Sequence, residues 1–379
     1  MYRSALESVR IAESLEGVDP QEWNALAGGQ PFVRHEFLSA LIDTGCAAGA
    51  SGWLPRFLLR YRAGALAGAM PLFAKSHSYG EYVFDWAWAD AHERHGIDYY
   101  PKLLCAVPFT PVRGPRILGT GKETLIDAAL QLARDTSSLH VLFPREDEAE
   151  LLAAQGMMLR RTVQFHWRNR NYPDFDAFLA ELSHGKRKNI RQERRRVREA
   201  GVSCRWLEGR AIERRHWAYF DRCYRHTYAA HRSSPYLSLA FFQRLGASLP
   251  EHTVLVLAER EGRPVASALL LRDQSRLYGR YWGATEPIPL LHFECCYYQA
   301  IEYAIARGLE VFEGGAQGEH KIFRGLMPVE TLSAHWLAHP QFARAVESFL
   351  GREGAGIARY VDELCEHSPF RRMDGGEEK

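Results

Sequence analysis

Two stretches decide the fold: Phe57–Phe73, FLLRYRAGALAGAMPLF, and Leu255–Leu271, LVLAEREGRPVASALLL. Each is an apolar run, a turn at Gly64 or Gly262, and a second apolar run. The two turns lie 198 residues apart (262 minus 64). Beyond the first comes Ser78-Tyr79-Gly80-Glu81-Tyr82, and beyond the second Leu277-Tyr278-Gly279-Arg280-Tyr281. A shared order of hairpin, aromatic strand and helix predicts a duplicated α+β unit. A duplicated unit of this kind is expected to hold a cleft between its halves.

Outward from the hairpins, apolar spacing predicts helix within 20–45, 123–135, 146–155 and 174–182. A basic helix is expected over 186–200, with further helices over 212–230, 238–248, 293–307 and 340–352. Strands are expected over 82–88, 139–143, 158–167, 276–284, 309–313 and 331–337. Residues 89–118 read as an irregular loop with a short helix, and 314–328 as a Gly-containing loop. The expected domains are 1–172, 173–352, and a C-terminal helix with a disordered tail over 353–379. The fold class is then mixed central sheets flanked by helices.

Composition narrows the partners. Among 379 residues, 46% are hydrophobic and 25% charged, which is ordinary for a globular protein of two domains. Net charge is +2, so no global basic field recruits nucleic acid, and DNA is not expected. The first 18 residues, MYRSALESVRIAESLEGV, have scattered acids and no apolar run, so no signal peptide is expected. No stretch approaches the length of a membrane span. Seven cysteines without framework spacing read as reduced thiols in a cytoplasmic protein. No metal is expected.

Four segments carry the chemistry. Gly185 to Arg198 holds eight Lys or Arg against one acid, Glu193. On a helix Arg187, Arg191, Arg194 and Arg198 share a face, where they repel one another unless an anion is near. Arginine grips phosphate bidentately, so the run from Lys186 through Arg187 and Arg191 is a candidate phosphate contact, against a plain solvated face. The second segment, Gly314 to Gly325, follows a buried strand, where α/β folds place ligand loops. Its Gln317 and Glu319 are candidate substrate contacts. His320 is a candidate proton acceptor, and Lys321 and Arg324 suit a developing oxyanion. The third, around His292 and Glu294, opens a helix whose N-terminus favours anions. His292 is a candidate substrate contact there, and Glu294 a candidate proton acceptor alongside His320, although the helix dipole explains an acid at that position equally well. The fourth, Asp85, Trp86 and Asp90, reads either as core or as the lining of a cleft.

Several motifs resemble a known family: GEYVFDWAWAD (80–90), YYPKLL (99–104), VPFTPV (107–112), HFE (292–294) and GAQGEHK (315–321). Together they resemble the FemAB-like proteins, the peptidoglycan biosynthesis/recognition family, over roughly 20–350. Their wider relatives are Fem-type peptidyltransferases with tandem GNAT-like (N-acetyltransferase-like) domains. The resemblance implies acyl transfer to an amine, with aminoacyl-tRNA as donor and a small-molecule or peptide amine as acceptor. It implies acceptor-phosphate contacts at Arg187, Asn189 and Arg191, and Lys321 near the reaction centre. The pyrophosphate loop of CoA-dependent GNAT enzymes does not follow the second hairpin, which argues against the alternative acyl-CoA donor. A third alternative is a non-catalytic module that recognises an anionic cell-wall precursor or a partner.

Overall fold

The computed structural model describes residues 7–315 and 318–371. The chain forms two compact units. Among the described residues unit 1 holds 7–162, 236–250 and 330–358; unit 2 holds 163–235, 251–315, 318–329 and 359–371. The sequence places one boundary at 172/173. The structure instead passes from one unit to the other at Thr162/Val163, within the unbroken strand Met158–Arg168.

Each unit contains one of the repeated hairpins. Phe57–Arg62 pairs antiparallel with Ala65–Met70, and Thr253–Arg260 with Arg263–Arg272. Both turns put two consecutive residues at positive φ: Ala63 (52°) and Gly64 (85°), Glu261 (52°) and Gly262 (73°). That backbone matches the right-handed twist of the flanking strands, and glycine at the second position removes the steric cost. The register slips after Arg60 in one hairpin and after Ala258 in the other, again 198 residues apart (258 minus 60). Each hairpin also has an antiparallel neighbour on its first strand, Glu7–Ala12 in unit 1 and Val202–Glu208 in unit 2. Repeated turn, slip and neighbour make the duplication a property of the backbone.

After the second hairpin, unit 2 continues antiparallel into Arg276–Ala284. The chain then crosses through the helical stretch 291–306 to the parallel strand Val311–Glu313. The core of this unit gathers Phe178, Ile190, Val256, Leu270, Tyr298 and Phe312. In unit 1 Pro71 divides the strand, since proline lacks the ladder donor. Ala65–Met70 stays with the hairpin, while Leu72–Lys75 pairs with Lys102–Cys105 and Trp53–Pro55.

Three sequence expectations are corrected. No strand spans 82–88; the helix Trp86–Arg94 occupies that region. Gly80 and Tyr82 take positive φ (83° and 64°), which breaks an extended path, and buried Trp88 and His92 form one helical face. The loop expected over 89–118 contains a strand, Lys102–Cys105. The last helix runs over Pro340–Glu366 rather than stopping at 352. Its glycines 351 and 356 face open space and do not end it. The tail expected to be disordered, MDGGEEK, lies outside the described residues.

Candidate active site

The chemistry-bearing segments of unit 2 meet around a cavity of about 200 Å³. Its apolar wall comes from Leu269 and Leu270 of the hairpin, Trp282 of the next strand, and Phe312. Between Leu269 and Leu270 the register slips: Leu269 pairs with Tyr281 and Leu270 with Gly279, so Arg280 is the extra residue of a bulge. Bulges re-aim side chains beside functional sites. The opposite wall is helical and irregular. Glu294–Tyr298 forms a single π turn between Leu291–Phe293 and Gln299–Ala306. His292, Cys296 and Tyr297 line the cavity beside it.

Lys321 closes this space. It sits in the short 3₁₀ segment Glu319–Arg324, is 5% exposed, and lines the cavity. Its Nζ donates to the Gly315 carbonyl at 3.2 Å. Among the described residues no carboxylate lies within ion-pair distance of it. Burial therefore acts unopposed by a carboxylate and lowers its pKa to about 8. Gly314 is constrained here, because a Cβ would collide with Leu326 Cδ2.

Arg324 holds the Lys321 segment in place. Its Nη1 donates to the His320 carbonyl at 2.9 Å and its Nε to Tyr298 Oη at 2.9 Å. Nη2 donates to both Glu193 oxygens, at 3.0 and 2.8 Å. Tyr298 donates to the same carboxylate, and the guanidinium lies 3.6 Å from the centre of the Phe293 ring. Glu193, the lone acid of the basic stretch, thus ties the basic helix to the loop that carries Lys321.

His320 sits at the exposed edge, its Nε2 3.1 Å from Tyr297 Oη. Burial, with Arg324 and Lys321 nearby, lowers its pKa. His292 is pushed down further, to about 4, chiefly by burial. Both imidazoles are neutral at neutral pH. Glu294 points away from the cavity: it accepts from Arg194 Nη2 at 2.9 Å and from Gln299 at 2.8 Å. Glu319 is exposed and accepts from Tyr360 Oη at 2.8 Å. Gln317 lies outside the described residues.

The basic helix spans His184–Glu199. Arg187, Arg191, Arg194 and Arg198 line one open groove of about 880 Å³, as their spacing predicts. Two of them already have anions: Arg191 pairs with Asp176 at 2.9 Å, and Arg194 with Glu294 and Glu302. Arg187 makes no ion pair among the described residues. Lys186 stacks its ammonium 3.4 Å from the centre of the Phe323 ring, and Asn189 is exposed.

The other three candidates belong to unit 1. Asp85 is buried, accepts from Tyr99 Oη at 2.6 Å, and pairs with Lys102. That lysine also donates to Glu81 at 2.8 Å and Ser78 at 2.7 Å. Trp86 and Asp90 lie on the helix that Asp85 precedes, and both are exposed.

Sequence reasoning did not single out Tyr297, Arg280 or Trp282. The π turn and the bulge that bring them to the cavity each depend on one extra residue, and no residue type marks either.

Among the described residues no helix is long and apolar enough to cross a membrane, and no cluster of three or more ligands could hold a metal. No curated protein matches the chain. Solved structures do share its fold. The crystal structure of FemX superposes with a TM-score of 0.54 at 13% identity, covering 87% of this chain and 98% of that one. The structure of L-PGS from Bacillus licheniformis gives 0.54 at 10% identity, covering 90% and 98%. The model of the FemAB-like family, described as peptidoglycan biosynthesis/recognition, matches residues 14–372. With that match spanning nearly its whole length, the chain belongs to the FemAB-like family.

Proposed function

We propose that this protein transfers an acyl group from an activated ester to an amine, forming an amide without a covalent enzyme intermediate. One observation carries it: Lys321 is a buried cation with no carboxylate partner among the described residues, opening onto a small cavity. A buried charge without a partner is expensive. The developing oxyanion of a tetrahedral intermediate supplies the missing negative charge at the transition state, where stabilisation raises the rate.

The donor favoured by family membership is aminoacyl-tRNA, and the acceptor an amine drawn from cell-wall precursors. The basic groove supports an acceptor that carries phosphate, with Arg187 free to receive it. Cys296 and Cys295 are poor nucleophiles: burial raises the Cys296 thiol, and a hydrogen bond with Cys204, followed by burial, raises that of Cys295, both well above their usual range. Direct attack by the amine is the remaining route, with positioning supplying much of the acceleration.

The test is to incubate pure protein with a metabolite extract and either a mixture of aminoacyl-tRNAs or acetyl-CoA. Mass spectrometry then searches for an amine that has gained an acyl group. Gain with the tRNA mixture, abolished by RNase, is the expected result. Gain with acetyl-CoA that survives RNase would replace the donor, and no gain with either would leave a binding protein.

A further inference from the structure

The amine must lose a proton as it attacks, and His320, the base suggested by the sequence, does not line the cavity. Tyr297 does. Its ring is 5% exposed, and the π turn places its hydroxyl 3.1 Å from His320 Nε2, which stands at the solvent edge. One phenol therefore joins the cavity to an accessible imidazole.

We propose that Tyr297 is a catalytic proton relay that carries the acceptor amine's proton out of the cavity to His320. The proposal rests on the acyl transfer set out above. The C–N bond forms at the acyl carbon and the ester C–O bond breaks. The nitrogen's proton passes to Tyr297 Oη as the phenol's own proton moves to His320 Nε2. The leaving oxygen recovers that proton from the imidazolium along the same path, so the enzyme ends unchanged.

The surroundings fit each role. Burial keeps the Tyr297 phenol protonated, so it relays rather than acts as a fixed base. Arg324, Lys321 and His292 face His320, and no carboxylate contacts its ring among the described residues. Its resting form is thus the neutral acceptor. A phenol between two proton partners adds one exchange of bonds and no net charge in the cavity. A carboxylate there would instead neutralise Lys321.

The test compares wild type with Tyr297→Phe, His320→Gln and the double variant. The probes are a mixture of aminoacyl-tRNAs, with methylamine and the less basic hydroxylamine as acceptors. General base catalysis typically supplies about 100-fold or more. Each single variant should lose roughly that factor in kcat toward methylamine, with KM and melting temperature near wild type. The double variant should lose no more than either single variant. The loss should shrink with hydroxylamine, whose nitrogen gives up its proton more readily. Undiminished kcat in Tyr297→Phe, or single losses that multiply in the double variant, would overturn the relay and leave acyl transfer standing. No transfer to either amine by wild type would overturn the relay, while acyl transfer itself is decided by the extract experiment above.

Discussion

Pro71 of unit 1 and Leu269 of unit 2 stand at the same place in the repeat, 198 residues apart (269 minus 71), and the chain solves that place in two ways. In unit 1 proline cuts the strand, and beyond it Lys102 is buried in ion pairs with Glu81 and Asp85. In unit 2 a bulge keeps the strand whole, opens a cavity, and faces it with Lys321. Both units bury lysine, but the balance differs. Lys102 has two carboxylates and holds its proton above its usual range; Lys321 has none and drops to about 8. A buried lysine with its counter-ions built in is architecture. Lys75, buried with no ion pair among the described residues and lowered to about 7, donates to the Tyr79 carbonyl and lies over the Trp53 ring, whereas Lys321 lines a cavity where a ligand can supply its counter-ion.

The largest effect that sharpens this contrast is on stability. Lys102→Met leaves Glu81 and Asp85 buried without their cation, and breaking such a pair costs about 3–5 kcal/mol. Urea unfolding should show a midpoint lowered accordingly. A variant as stable as wild type would mean that the unit 1 network is not held by its charges.

Lys321→Met should do the reverse. Folding is kept or improved because a charge without a partner is removed, while kcat falls by roughly 10² to 10³, as for other lost oxyanion donors. Stability against pH separates this from a general defect. The folded pKa of Lys321, about 8, lies below its unfolded value of 10.5. Between those values the unfolded chain binds more protons, so wild-type stability gains a rising component there. Below about 8 the full cost of the buried charge is present. The difference between wild type and Lys321→Met should therefore close as pH rises from 8 to 10.5. A difference independent of pH would contradict the buried cation.

The legible part of this design was local. Gly64 and Gly262 with their flanking apolar runs mark two hairpins because positive φ has a residue signature. The basic helix is legible because like charges three and four apart need a reason. Lys321 was reached through the glycine-rich loop around it. The contrast between the two lysines was not legible. Lys102 reads as one charge in an aromatic stretch until Glu81 and Asp85 fold onto it across about twenty residues of chain. The aromatic alternation in 82–88 misled for a related reason: it suits a strand, but burial of Glu81 and Asp85 on Lys102 decides where the helix starts. Tyr297 stayed hidden because a π turn shifts the phase of a helix without changing its composition.

The smallest effect concerns the groove, where the same question of counter-ions returns at the surface. Arg191 already has Asp176, whereas Arg187 makes no ion pair among the described residues. If the groove receives phosphate, Arg187→Ala should weaken binding of inorganic pyrophosphate more than Arg191→Ala, because Arg191 must first give up its acid. Exposed pairs are worth about 1 kcal/mol or less, so a roughly fivefold loss is the most to expect from Arg187. The gap between the two variants should widen in dilute buffer, where charges act over longer distances. Calorimetric titration across a salt series measures this directly. Equal losses, or affinities that ignore salt, would mean that the arginine face is solvated surface and that charge without a partner signals a ligand only when it is buried.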